Sequence, residues 1–311
     1  MLISVVPVAI KSTEQKIINP EIYSQIANLE LISRKILDGF LSGLHQSSFH
    51  GYNIEFAEHK QYVPGDNPSY IDWKLFARSG KLFSKKYLEE RNMRTFFFLD
   101  NSASMGFGNP SKWNYSIITA STLSLLLLSK KDTVGLWLFN KEISSFLHPS
   151  GKRSYIRNIC RFLEKAYPDG KTELGGSLFQ LASNLKKRSL IILISDLFSD
   201  QESLFNAIRI LSHKGHEIIV MHLLSNEELE FNYEGTKRII DMETQEDILI
   251  DASYWRDYYK KTLSSNLNKF NEFFSKSSVD YMLVSTKVPI EKTLFNLLYR
   301  RKRGKVHVVL S

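Results

Sequence analysis

Residues 96–108 read FFFLDNSASMGFG, and the fold turns on this stretch. An apolar run ends abruptly in Asp100, and hydroxyls then follow at every second position, Ser102 and Ser104. Apolar residues at consecutive positions describe a strand buried on both faces, so the acid marks where that strand leaves the core. Ser and Asp also build ordinary turns. What Asp100-x-Ser102-x-Ser104 does therefore depends on the elements around it.

From about residue 94 onward, apolar runs of strand length alternate with amphipathic stretches of helix length. The expected strands are Arg94 to Leu99, Val134 to Phe139, Leu190 to Ser195, Glu217 to Leu224 and Tyr281 to Val284. The expected helices are Trp113 to Ser129, Tyr155 to Ala166, Leu174 to Lys187, Gln201 to Lys214 and Tyr254 to Ser275, with Gly215 placed as a C-cap. Strand, helix, strand in repetition predicts an α/β fold, a doubly wound and mostly parallel sheet with helices on both faces. Two segments break the rhythm. Residues 1–93, helical from Ile17 to Leu44 and then rich in Gly, Pro, Tyr and Trp, are expected to pack on the core formed by residues 94–311. Within residues 233–251, KRIIDMETQEDILID predicts a hairpin turning at Thr244, Gln245 and Glu246, inserted before the helix that follows the 217–224 strand.

A hydrophobic content of 43% against 24% charged is that of a chain able to build a core, which removes disorder as the default. The single cysteine, Cys160, excludes an internal disulfide framework and a multi-cysteine metal site, and cytoplasmic localisation is the expectation that follows. LISVVPVAI at the start and LSLLLLS at 123–129 both fall short of the ~20 residues of a membrane span, so neither a span nor a signal peptide is expected. The net charge of +8 raises nucleic acid as a partner, but the cations are scattered. The densest run, Arg300, Arg301, Lys302, Arg303 and Lys305, reads as a solvated helix terminus, and no nucleic-acid partner is expected.

Ligands of open parallel sheets bind outside the carboxyl ends of strands. Asp196 follows the apolar ILIS as Asp100 follows FFFL, and between them DGKTELGGSL sets Thr172 just before a helix. Thr172 alone reads equally as a cap or turn residue. Taken together, Asp100, Ser102, Ser104, Thr172 and Asp196 offer only oxygen, which suits a hard cation, Mg²⁺ or Mn²⁺. This set resembles the metal-ion-dependent adhesion site of von Willebrand factor A domains, with all five positions matched in type. The resemblance implies that Ser102, Ser104 and Thr172 contact the ion, that Asp100 and Asp196 hold it through water or directly, and that the sheet is von Willebrand A-like.

Upstream, Gly51, Glu55-Phe56, Tyr62, Pro64-Gly65-Asp66, Ile71-Asp72-Trp73, Ala77-Arg78 and Glu90 resemble the signature of domain of unknown function 58. The likeness runs from about Leu31 to Val284. It implies a non-enzymatic, metal-dependent protein-binding module that works with a MoxR-type AAA+ ATPase in assembling or activating other proteins. A partner's acidic residue would complete the metal shell. Members of that family often carry membrane helices before the signature, and none is expected here.

Other readings follow from the same residues. A Mg²⁺-dependent phosphatase or phosphotransferase would use Asp100 as nucleophile, but the acid that haloacid dehalogenase-like enzymes place two residues later is Ser102 here. A scaffold without an ion is a third reading. GFGNPSK lacks P-loop spacing, and there is no Gly-x-Ser-x-Gly elbow, HExxH or paired-cysteine motif. Asp66, Asp72, Arg78 and Glu90 among Tyr62, Tyr70, Trp73, Phe76 and Phe83 read as charges paired at the edges of packed aromatics. Phe107 and the loop 140–153, with Lys152 and Arg153, are expected at the rim of the site.

Overall fold

The computed structural model describes residues 28–46, 59–62, 73–85, 93–277, 279–303 and 309–310. The chain divides into two compact units, one of Ser42–Asn92 and one of the residues up to Leu41 and from Met93 onward.

Helix α1 (Leu29–Gln46) buries Leu29, Ile32, Ile36, Leu37 and Phe40, an i, i+3, i+7 stripe. The part of the expected helix before residue 28 lies outside the described residues. In the smaller unit, β1 (His59–Gln61) pairs antiparallel with β2 (Phe83–Lys85), and α2 (Trp73–Ser79) lies between them in sequence. Trp73 and Phe76, expected to be packed, are instead 62% and 39% exposed and meet edge to face. Arg78 lies in the last turn of α2, whereas Asp66, Asp72 and Glu90 lie outside the described residues.

The larger unit continues with β3 (Arg94–Asp100), α3 (Lys112–Ser129), β4 (Thr133–Phe139), β5 (Ile143–Ser150), α4 (Ile156–Lys165), α5 (Leu174–Asn184), β6 (Leu190–Ser195) and α6 (Gln201–His213). Next come β7 (Glu217–Leu224), a short α7 (Asn226–Glu230), β8 (Thr236–Ile240), β9 (Asp247–Asp251), α8 (Ala252–Lys276), β10 (Val279–Ser285), α9 (Ile290–Arg303) and β11 (Val309–Leu310). The sheet order is β11-β10-β7-β6-β3-β4-β5, parallel throughout except for β5. This is the α/β, doubly wound and mostly parallel sheet with helices on both faces expected from the sequence. Helices α5, α6 and α8 cover one face through Leu178, Leu204, Ala207, Phe270 and Phe274, which pack on Phe98, Leu193, Val220 and Tyr281. Alternate strand residues face the other side. There Tyr115 of α3 donates to the Val288 carbonyl at 2.9 Å, just ahead of α9, and α1 joins α3 through the Ser33 and Ser121 hydroxyls, 2.6 Å apart.

The chain leaves β3 toward β4 and β5, and later runs from β6 the other way toward β7 and β10. Strand order thus reverses between β3 and β6, the place where a doubly wound sheet opens a crevice at its carboxyl edge. Their register sets Leu99 opposite Ile194, so Asp100 and Asp196 emerge at neighbouring strand ends.

Edge strand β5 was not expected. Its residues are partly buried or exposed, largely in alternation, and it contains Pro149, both habits of an edge. Being antiparallel, β5 pairs Ser150 with Val134, at the amino end of β4. Lys152 and Arg153 therefore lie at the end of the sheet opposite the carboxyl edge, and the expectation that they line the site's rim is corrected. The hairpin is present as β8 paired antiparallel with β9, and nearly all of its residues are exposed.

Helices α5 and α6 approach so closely at Gly175 that a Cβ there would lie 2.7 Å from Ser203 Cβ and 3.0 Å from the Ser203 carbonyl carbon. At Gly176 an added Cβ would meet only the flexible Glu173 side chain, at 3.1 Å. Gly175→Ala should cost roughly 1–3 kcal/mol in urea unfolding through overpacking. Gly176→Ala should be neutral or gain up to about 1 kcal/mol, as expected for glycine replaced within a helix.

Candidate functional site

At the carboxyl edge of β3, Asp100 is fully buried and both of its carboxylate oxygens are used. Oδ1 accepts the Ser102 amide at 2.9 Å, which folds the chain back into a turn, and Oδ2 accepts the Ser195 hydroxyl from the end of β6 at 2.6 Å. Ser195 in turn accepts the amide of Leu197 at 2.9 Å. Leu197 is buried with φ of 57°, a left-handed conformation that a branched side chain avoids. The Ser195 bond holds that turn, and the turn aims Asp196 inward.

Asp196 is 1% exposed. Its Oδ1 accepts the Phe198 amide at 3.2 Å, and its Oδ2 accepts both the Ser104 hydroxyl and the Lys112 ammonium at 2.8 Å. The Ser102 and Ser104 hydroxyls are 3.1 Å apart. The structure thus joins Asp100, Ser102, Ser104 and Asp196 in one continuous hydrogen-bonded cluster. Thr172 belongs to an adjoining loop, tied to the cluster where the Ala103 amide donates to the Gly170 carbonyl at 2.9 Å. Its side chain turns elsewhere: the Thr172 hydroxyl donates to Glu243 Oε1 at 3.0 Å and its amide to Oε2 at 3.2 Å, Glu243 lying in the hairpin turn.

Lys112 and Glu228 escaped the sequence reading. Lys112 opens α3, is fully buried, and reaches Glu228 Oε1 at 2.5 Å as well as Asp196. The close approach depends on Gly108, at φ of 96°, where a Cβ would fall 2.6 Å from Ser225 Cβ. Glu228 also closes a capping box on α7: its Oε2 accepts the Ser225 amide at 2.7 Å and its own amide donates to the Ser225 hydroxyl at 3.2 Å. Ser225-x-x-Glu228 is a local signature that could have been read. Nothing local announces Lys112, whose partners lie 84 and 116 residues away.

The Lys112 ammonium thus serves two carboxylates, Asp196 and Glu228, while the third, Asp100, is held by Ser195 and the Ser102 amide alone. Burial, and then the neighbouring Asp196 charge, raise the Asp100 carboxyl to about 7 despite the hydrogen bonds from Ser195 and Ser102. Burial raises Glu228 also, against the pull of Lys112. Burial opposes the charge on Lys112, yet the carboxylates of Asp196 and Glu228 hold its ammonium above its ordinary value. The cluster is short of positive charge.

Among the described residues no group of three or more His, Cys, Asp or Glu side chains is placed to hold a metal by themselves. Any ion would rely on the hydroxyls of Ser102, Ser104 and Thr172, which keep acceptor lone pairs while donating. An all-oxygen set with a deficit of positive charge fits a hard divalent cation. Since the oxygens of Asp100 and Asp196 are already engaged by donors, the carboxylates suit an indirect role through water. Cys160 is buried in α4, and burial pushes its thiol up to about 12, which leaves it inert packing.

Replacing Lys112 by Met should destabilise the protein by about 3–5 kcal/mol in denaturant unfolding, because two buried carboxylates lose their cation. Adding Glu228→Gln should return part of that loss, a coupling measurable in the double-mutant cycle. Next to this cluster, His222 of β7 pairs in register with Ser195 and is bonded through Nδ1 to the Tyr281 hydroxyl at 2.8 Å. Burial pushes the imidazole down to about 4 from an ordinary 6.5. The neutral ring is favoured by folding, so its contribution is complete above pH 6.5 and is lost as pH falls toward 4. That loss should amount to about 3 kcal/mol, and in His222→Gln unfolding curves the corresponding acid limb should flatten.

The model of the family described as protein of unknown function DUF58 matches residues 58–268, about two thirds of the chain. Uncharacterized proteins of Mycobacterium tuberculosis and Mycobacterium bovis are each 23% identical over 231 residues, 73% of this chain and 72% of theirs. Among solved structures, the conserved hypothetical protein BatB from Bacteroides thetaiotaomicron is 15% identical, with a TM-score of 0.44 over 68% of this chain and all of that one. The vWF domain of the type V pili tip protein Mfa5 from Porphyromonas gingivalis is 18% identical, with a TM-score of 0.30 over 34% of this chain and 38% of its own. No helix among the described residues is long and apolar enough to cross a membrane. By the family match over residues 58–268, which include the site, the chain belongs to the DUF58 family.

Proposed function

We infer that the chain is a non-enzymatic protein-binding module whose carboxyl-edge site takes Mg²⁺ or Mn²⁺ and recognises an acidic side chain of a partner. The observation that carries this reading is the convergence of the Ser102 and Ser104 hydroxyls on each other at 3.1 Å and on Asp196 at 2.8 Å, at the switch point of the sheet. Ser102, Ser104 and Thr172 would hold the ion, with Asp100 and Asp196 behind them. A bound divalent cation would supply a Lewis-acidic anchor for a carboxylate. Asp100 fixes the Ser102 turn, Ser195 ties β6 to that turn, and Lys112 pairs with Asp196 at the bottom of the cup.

The same contacts weigh against a phosphatase. A nucleophilic Asp100 would need an oxygen free to attack, and here the residue is fully buried with both oxygens accepting hydrogen bonds. The partner is read from the family resemblance as a MoxR-type AAA+ ATPase, with the pair assembling or activating other proteins in the cytoplasm.

Calorimetric titration should detect Mg²⁺ or Mn²⁺ binding to the wild type at millimolar ion or below, and Ser102→Ala should weaken it at least about tenfold, the loss of one buried donor. Retention on an immobilised MoxR-type ATPase should fall in parallel. Absence of binding by the wild type would sink the metal reading, and phosphomonoester turnover abolished by Asp100→Ala would replace it with catalysis.

A further inference from the structure

The hairpin of β8 and β9 stands away from the body, with nearly every strand residue exposed, yet its turn is held against the site. The turn is built by Asp241, whose Oδ1 accepts the amides of Glu243 at 2.7 Å and Thr244 at 2.9 Å. Gln245 completes it in the left-handed region at φ of 62°. This geometry presents Glu243 to Thr172, and both carboxylate oxygens are used, one on the Thr172 hydroxyl and one on the Thr172 amide. Met242 reaches in the same direction, its terminal methyl 3.5 Å from where a Cβ on Gly106 would stand, directly after the Ser102–Ser104 turn. An acidic side chain of the chain itself is therefore seated on one of the five candidate site residues.

The contact has the form that recognition of a foreign acid would take. Thr172 is the only one of the five that the hydrogen-bonded cluster leaves out, and the group filling its bonding capacity is a carboxylate brought from 71 residues away. A glutamate serving only to brace the hairpin could have bonded any surface donor. This one closes on the hydroxyl that the site needs. Few contacts hold it: apart from the turn, the hairpin is anchored at its base, where Ala252 donates to Gly235 at 3.0 Å and Arg256 to the Tyr233 carbonyl at 2.7 Å. Among the described residues the tip meets this loop through Glu243 and Met242, with the charge of Lys171 near Asp241, and such a tip can lift without unfolding the sheet.

We propose that Glu243 is an intramolecular stand-in for the partner's acid, so that the hairpin turn covers the site and a partner carboxylate gains entry by displacing it. The inference rests on the metal-dependent reading above and assigns that site its regulation. Partner and hairpin compete for one position, so the closed form lowers the apparent affinity in proportion to its population.

The test uses the full chain and its Glu243→Gln and Glu243→Asp variants, with Mn²⁺ alone as the probe. Without metal, exchange of the Thr172 amide should accelerate about tenfold or more in Glu243→Gln, as a charge-assisted hydrogen bond is lost. With Mn²⁺ bound, water-proton relaxivity per ion should rise in Glu243→Gln, because water takes the place left by the carboxylate, and Glu243→Asp should move it back toward wild type. Circular dichroism and unfolding midpoints of the variants should match wild type, since the tip is exposed. Unchanged Thr172 exchange overturns the proposal, as does faster exchange with unchanged relaxivity, which reduces Glu243 to a turn contact. Mn²⁺ bound by all three proteins in those cases leaves the metal site standing while this inference falls. No Mn²⁺ bound by any of them overturns the metal reading and the stand-in together.

Discussion

One oxygen atom, Asp196 Oδ2, receives the Ser104 hydroxyl and the Lys112 ammonium at 2.8 Å each, and the carboxyl edge is organised about it. Burying a carboxylate costs several kcal/mol unless it is paired and hydrogen-bonded, and Asp100 and Asp196 are buried close enough that the charge of one raises the other. The parallel sheet creates the problem by ending two adjacent strands in acids. Lys112, Ser195 and the turn amides are the answer. Each is placed by a different element, so the packing of α3, the register of β3 with β6 and the left-handed Leu197 turn are all enforced by the same demand.

Position explains why the sheet could be read in advance. Strands β3, β6, β7 and β10 are covered on both faces, and a doubly covered strand writes itself as a continuous apolar run. Strand β5 is covered on neither face to that degree, and ISSFLHPS, with only Ile143, Phe146 and Leu147 among Ser, His and Pro, carries too little apolar weight to stand out from a loop. Helix α5 stops at Asn184 because Leu185 already adopts an extended backbone, whereas composition alone would carry it through Lys186 and Lys187.

The site divides along the same line. Asp100, Ser102, Ser104 and Asp196 were visible because a strand end fixes where its next few residues go. Thr172 was visible as a type of residue, but its partner was not: Glu243 is supplied by the hairpin from 71 positions away. Lys112 is harder still. A cation in the first turn of a helix is disfavoured by the helix dipole, so local rules predict it outside, and only Asp196 and Glu228 together reverse that preference. Of the upstream signature, Asp66, Asp72 and Glu90 lie outside the described residues.

The span of Lys112's bonds has a consequence for when the cup exists. Its two carboxylates sit 84 and 116 residues along the chain, one past β6 and one in α7 beyond β7, while Ser104 precedes it. No fragment containing only the first of these segments can assemble the cluster, because closing such long loops gains nothing until the sheet between them is formed. The cluster therefore closes only once β6, β7 and α7 have been brought to α3. On the proposed reading, a partner that engages the cup would discriminate against a chain in which these segments are still apart, before any affinity for the rest of the surface comes into play.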